Sequence, residues 1–149
     1  MNTNPKLNAS GYKDITAFKA INNVSRKTKS ESGVKTEPQM VFICSPFAGD
    51  TKANTNKALQ YCKFAVSKGK FPIAPHCYFP LFMNDGNSAE RELGISFGLR
   101  LLYDCRELWL FGTHVSEGMK RELFAAKRRG IRIRQFNESM EEIRNGTDT

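Results

Sequence analysis

Four short apolar runs alternate with segments of helical period, and that alternation organises the chain. Val41-Phe42-Ile43-Cys44 is continuously apolar, as a central parallel strand covered on both faces must be. Glu107-Leu108-Trp109-Leu110-Phe111-Gly112 reads the same way, whereas Ile131-Arg132-Ile133-Arg134-Gln135-Phe136 alternates like a half-exposed edge strand. A fourth candidate covers residues 71–78, where Pro72 and Pro75 predict something short or at an edge.

Between these runs, residues 52–68 carry Ala58, Tyr61, Cys62, Ala65 and Val66 on one stripe and stop at Gly69. Asn87 with Glu90 three positions on resembles a capping box and starts a helix to about Asp104. Its apolar residues lie almost all round the axis, which predicts burial on two sides. Gly94 and Gly98, one turn apart, would admit a close-packed backbone such as a twin helix across a homodimer or higher homo-oligomer. A third helix spans residues 117–129, with Lys127-Arg128-Arg129 complementing its dipole and Gly130 ending it. A short helix is expected at residues 138–144. The predicted fold is therefore α/β: a Rossmann-like or flavodoxin-like three-layer sandwich on a mainly parallel sheet of four to five strands.

Residues 40–149 form the expected domain, and residues 1–39 an appendage. Residues 14–24 place Ile15, Phe18 and Ile21 on one stripe, and residues 25–33 are polar and aperiodic, as a linker is. With 149 residues the chain can bury one core. No run approaches a membrane span and the first residues carry no apolar signal region, so the expected compartment is the cytoplasm. The four cysteines form no C-x-x-C pair and there are two histidines, which predicts buried thiols and neither a metal site nor a bound cofactor. The net charge of +8 is spread along the chain: residues 1–39 hold seven Lys/Arg against three Asp/Glu, and residues 40–149 hold sixteen against twelve. This favours anionic ligands, but no base-reading motif accompanies it, so nucleic acid is not the expected partner.

Candidate chemistry collects in the loops after the first and third strands, where open α/β sheets bind ligands. In Val115-Ser116-Glu117-Gly118-Met119-Lys120-Arg121-Glu122, Ser116 suits a helix N-cap. Gly118 permits close approach, and the free amides there, Met119 included, favour an anion. Glu122 would project from the second turn toward the same crevice as nucleophile or base; a solvated helix residue is the plain alternative. After the first strand, Ser45, Phe47 and Gly49 offer a second side of the crevice. His76 and Tyr78 suit a sugar or base, or a structural role, and Glu90 and Arg91 suit either ligand or a cap and surface ion pair. Phe79, Phe82 and Met83 would face a nucleobase, pack as an apolar loop or make a subunit contact. No G-x-G-x-x-G or Walker loop is present.

Taken together, Val41–Phe47, Pro72–His76, Glu107–Gly112 and Ser116–Glu122 resemble the nucleoside 2-deoxyribosyltransferase-like superfamily over residues 40–136. The resemblance implies cleavage or transfer at an N-glycosidic bond of a nucleotide or nucleoside. In the transferases D-x-G-x-x-x-E supplies a glutamate that attacks the anomeric carbon, and Glu122 matches it. Ser116 stands at the Asp position, similar to the deoxynucleoside 5′-monophosphate N-glycosidase branch. This implies a 5′-phosphate held by Ser116 and the Gly118 and Met119 amides, with Ser45 and Gly49 opposite and Lys120 and Arg121 close by. The transferases' first-strand tyrosine is matched by Phe42, which leaves Tyr78 to supply a hydroxyl if its ring points inward.

Overall fold

The computed structural model describes residues 36–144, and the compact unit that carries the sheet begins at Pro38. The predicted helix at residues 14–24, the linker after it and the tail from 145 lie outside the described residues.

Strand β1 (Met40–Cys44) leads through a turn to helix α1 (Thr51–Ser67) and strand β2 (Phe71–Ile73). Helix α2 (Pro75–Tyr78) and a 3-10 turn (Phe79–Leu81) precede helix α3 (Ser88–Tyr103). Strand β3 (Glu107–Phe111), helix α4 (Glu117–Arg128) and strand β4 (Arg132–Phe136) complete it. All pairings are parallel and the sheet order is β2-β1-β3-β4. The Rossmann-like or flavodoxin-like α/β fold is thus observed, with four strands.

Alternate residues of the central strands feed two cores. Phe42, Cys44, Leu108 and Leu110 pack with Leu102 of α3 and with Met119 and Ala126 of α4. Val41, Ile43, Trp109 and Phe111 pack on the other face with Tyr61 and Ala65 of α1. Successive right-handed crossovers require this, because β1 to β2 moves one way along the sheet and β2 to β3 to β4 moves back. The reversal opens a crevice between the carboxyl ends of β1 and β3, where ligands bind in open sheets of this kind.

Four local expectations are corrected. The strand predicted over residues 71–78 ends at Ile73, because Pro75, whose fixed φ suits a first helical position, starts α2. His76 and Tyr78 therefore stand on a helix. Residues 138–144 form no helix. Met140 has φ 63, Ile143 N donates to Gln135 O at 2.8 Å, and Glu142 bridges Phe136 antiparallel, so the segment covers the outer edge of β4. In α3 the burial is one-sided within the chain: Gly98 and Leu102 are buried while Leu93 and Phe97 are exposed. Its capping box is also open. The Asn87 side chain accepts from the amides of Ala89 and Glu90, but the Glu90 carboxylate accepts from the Asn84 amide instead of returning to Asn87.

Candidate functional site

A cavity of about 350 Å³ occupies the crevice between the ends of β1 and β3. Its floor is built where β1 ends. Ser45 is buried, and its Oγ lies 2.9 Å from His76 Nε2, which ties the strand end to α2. Burial pulls the His76 pKa down to about 4, so the ring is neutral at pH 7 and brings no cation. The turn after Ser45 is held by Asn54, whose Nδ2 donates to the carbonyls of Phe47 at 3.1 Å and Ala48 at 3.0 Å. Both of those residues line the cavity.

Helix α4 begins at the opposite side. Ser116 is its N-cap: the hydroxyl oxygen accepts from the Met119 amide at 3.4 Å. A Cβ built on Gly118 meets nothing within 4 Å, so the missing side chain leaves open space at the cavity wall. One turn further, Glu122 lines the cavity and lies beside the buried Cys44 of β1. Loss of hydration pushes the Glu122 pKa up to about 7, although a hydrogen bond from the Cys44 thiol pulls it partway back. The same carboxylate, after burial itself, raises the Cys44 pKa, so the thiol stays protonated and serves as a donor. Near neutral pH, therefore, the cavity holds a carboxyl group divided between its acid and ionised forms.

The far wall is α3. An added Cβ on Gly94 would lie 3.8 Å from Met83 Cε, and one on Gly98 would lie 3.8 Å from the Pro75 ring. The close packing that these glycines admit is thus used, within the chain, by Pro75 and Met83. Phe79, Pro80 and Met83 close the cavity above. Phe82 and Tyr78 do not line it; both are 61% exposed and pack edge to face with each other, ring centroids 5.1 Å apart. The condition for Tyr78 to supply a hydroxyl, a ring that points inward, is accordingly not met. Phe42, at the place of the transferases' tyrosine, is fully buried in the core.

Eight predicted site residues meet at this cavity: Ser45, Phe47, His76, Glu90, Ser116, Gly118, Met119 and Glu122. Gly49 is not among its lining residues; with φ +96 it shapes the turn into α1, where Asp50 caps the helix by accepting from the Ala53 amide. Sequence reasoning missed Asp85, Glu117 and Ile95. Asp85 sits in an irregular turn with no periodic signal, but Ile95 is one residue past Gly94, on a face that helical spacing already marked. The expected positive charge is also displaced. Lys120 Nζ pairs with Glu117 at 2.8 Å and Arg121 bridges to Glu92 of α3 at 3.0 Å, so neither lines the cavity. Arg91, 4.0 Å from Asp85, is the lining guanidinium, set against the carboxyl groups of Asp85, Glu90, Glu117 and Glu122.

Among the described residues, no group of three His, Cys, Asp or Glu side chains is arranged to hold a metal ion, and no helix is long and apolar enough to cross a membrane.

Fold and cavity together define an open parallel α/β domain with a ligand-sized pocket at its topological switch point. The chain belongs to the family described as "Domain of unknown function (DUF7768)", which matches residues 39–136. No curated protein matches it. Among solved structures, a 2-deoxyribosyltransferase from the psychrotolerant bacterium Bacillus psychrosaccharolyticus is similar, with a TM-score of 0.52 and 19% identity over 71% of this chain and 77% of that one. The fold resembles that of the transferase.

Proposed function

We propose that this protein cleaves or transfers the N-glycosidic bond of a nucleoside or a closely related nucleotide, with Glu122 as nucleophile. One observation carries the reading: a carboxyl group at the wall of a cavity large enough for a nucleoside, beside the Ser116 helix start and under the apolar cover of Phe79 and Met83. The ionised Glu122 would attack C1′. The bond from C1′ to the base nitrogen breaks with its electron pair leaving on the base, which takes up a proton. Water or a second base then displaces Glu122 from the sugar, as in retaining glycoside chemistry.

The lining charges favour an uncharged nucleoside over a 5′-monophosphate, since the carboxyl groups of Asp85, Glu90 and Glu117 and the half-ionised Glu122 line the cavity with one guanidinium, and His76 is neutral. A phosphate would depend on Ser116, the Gly118 and Met119 amides and Arg91 for its partners. Incubation with matched nucleosides and 5′-monophosphates, ribo and deoxy, with released base measured by chromatography, tests both points. Base release from nucleosides is expected, with at least about a thousandfold loss in Glu122→Ala. Undiminished release in that variant excludes the proposed nucleophile.

Phe42 has no hydroxyl and Tyr78 does not line the cavity, so no phenol orients Glu122, and this favours a second reading: a non-catalytic module for a nucleotide or nucleotide-derived signal. Tight binding without base release, unaffected by Glu122→Gln, would sustain it.

A further inference from the structure

A parallel sheet sends every strand start, and every returning helix end, to the same end of the domain, opposite the cavity. Basic residues scattered along the sequence are gathered there. Lys68 caps the carboxyl end of α1 and Lys70 precedes β2. Arg100 lies in the last turn of α3, and Arg106 comes just before β3, its amide donating to Met40 O at 2.9 Å. Lys127 and Arg128 close α4, Arg129 is its C-cap, and Arg132 opens β4. All but Lys70 are exposed. Arg129 lies 3.8 Å over the Tyr103 ring and so joins the ends of α3 and α4, while Lys70 Nζ donates to Gln39 beside β1 at 3.1 Å. Within this unit the acids near this end include Asp104, Glu107 and Glu142, the last bonded to Arg134 at 2.9 Å. Glu107 is already engaged by Trp109 Nε1 and by Arg134, with Arg132 at 3.8 Å. Among the described residues, no carboxylate lies within ion-pair distance of Arg100, Arg106, Lys127 or Arg128.

We propose that this basic end is a second binding surface, distinct from the cavity, that holds the phosphate backbone of a nucleic acid without reading its bases. Helix dipoles explain a base or two at the end of α4, but Lys70, Arg106 and Arg132 lie outside the helices and need another reason. Five of the eight residues are arginine, whose planar fork matches phosphate oxygens two at a time, whereas lysine suffices for diffuse attraction to acidic headgroups. The lack of a base-reading motif does not weigh against such contacts, which fix no sequence.

Fluorescence anisotropy of the full chain with a labelled duplex of mixed sequence, over a series of salt concentrations, tests the proposal. Binding is expected with a log–log salt slope of about −3 to −5, the signature of roughly four or five phosphates. Replacing Arg106 and Arg128 together by serine is expected to weaken it at least about tenfold and to flatten the slope by about 2. The matched pair Lys52→Ser and Lys57→Ser, at the cavity end, leaves both unchanged, and circular dichroism establishes that both pairs fold. No salt-dependent binding, equal losses in the two pairs, or an undiminished Arg106/Arg128 pair overturns the proposal. So does capture by phosphatidylserine vesicles where the duplex is not bound.

Discussion

Ser45 Oγ and His76 Nε2 lie 2.9 Å apart although thirty-one residues separate them, and this contact pins helix α2 to the end of the central strand β1. The imidazole is neutral because burial leaves its charged form without hydration.

A stability prediction follows from His76. A histidine with its folded pKa lowered to about 4 from 6.5 favours the folded state above pH 6.5, and that contribution is lost as the pH falls toward 4 because the unfolded chain takes up the proton. Urea unfolding of wild type and His76→Gln between pH 7.5 and 4 is the measurement. The wild-type protein is expected to lose stability over that window more steeply than the variant, by on the order of 2 kcal/mol across it. Parallel curves would mean that the ring titrates as it does in water.

Glu122 acts in the opposite sense. Its folded pKa, raised to about 7, means that its contribution to stability is complete below the ordinary carboxylate range and is lost as the pH rises through 7. Glu122→Gln is therefore expected to be more stable than wild type at pH 8, by on the order of 2 kcal/mol, and indistinguishable or less stable at pH 4. In the proposed reaction the Glu122 nucleophile must be ionised, so base release by the wild-type protein should climb with pH to a plateau through an apparent pKa near 7 in kcat/KM. A plateau already reached at pH 5.5 would contradict this, as would a Gln variant less stable than wild type at pH 8.

Gly118 separates binding from stability. Since a Cβ there meets open space, Gly118→Leu is expected to fold with thermal stability equal to or slightly above wild type, helped by up to about 1 kcal/mol of helix propensity. The longer side chain enters the cavity beside Ser116, so nucleoside binding, read by calorimetry, should fall at least about tenfold. Retained affinity would place the ligand elsewhere.

Hydropathy alone marked the four strands and the three long helices that alternate with them. Continuous apolar runs at Val41–Cys44 and Leu108–Phe111 can be satisfied only between two helical layers, and the alternation at Ile131–Phe136 marks an edge. Those two loops were legible as the place for a site because parallel strands connected by helices put them at one sheet end. Where single residues decide, local pattern failed. Pro75 turned a strand into a helix, Met140 with positive φ stopped one, and the Glu90 side chain took the Asn84 amide in preference to its own cap. None of these choices leaves a periodic trace.

Charge was the property least legible along the chain and most dependent on the fold. Lys120 and Arg121 stand next to Glu122 in sequence, yet the helix turns them onto Glu117 and Glu92, away from the cavity. Arg100, Arg106, Arg128 and Arg132, dispersed among acids in sequence, come to one end because the strands all point the same way. Sequence by itself determined which segments must be buried, since burial depends on local composition and period. Only the tertiary structure decided which charges share a face and what surrounds the Glu122 carboxyl, because electrostatic environment depends on distances through space between residues far apart in the chain.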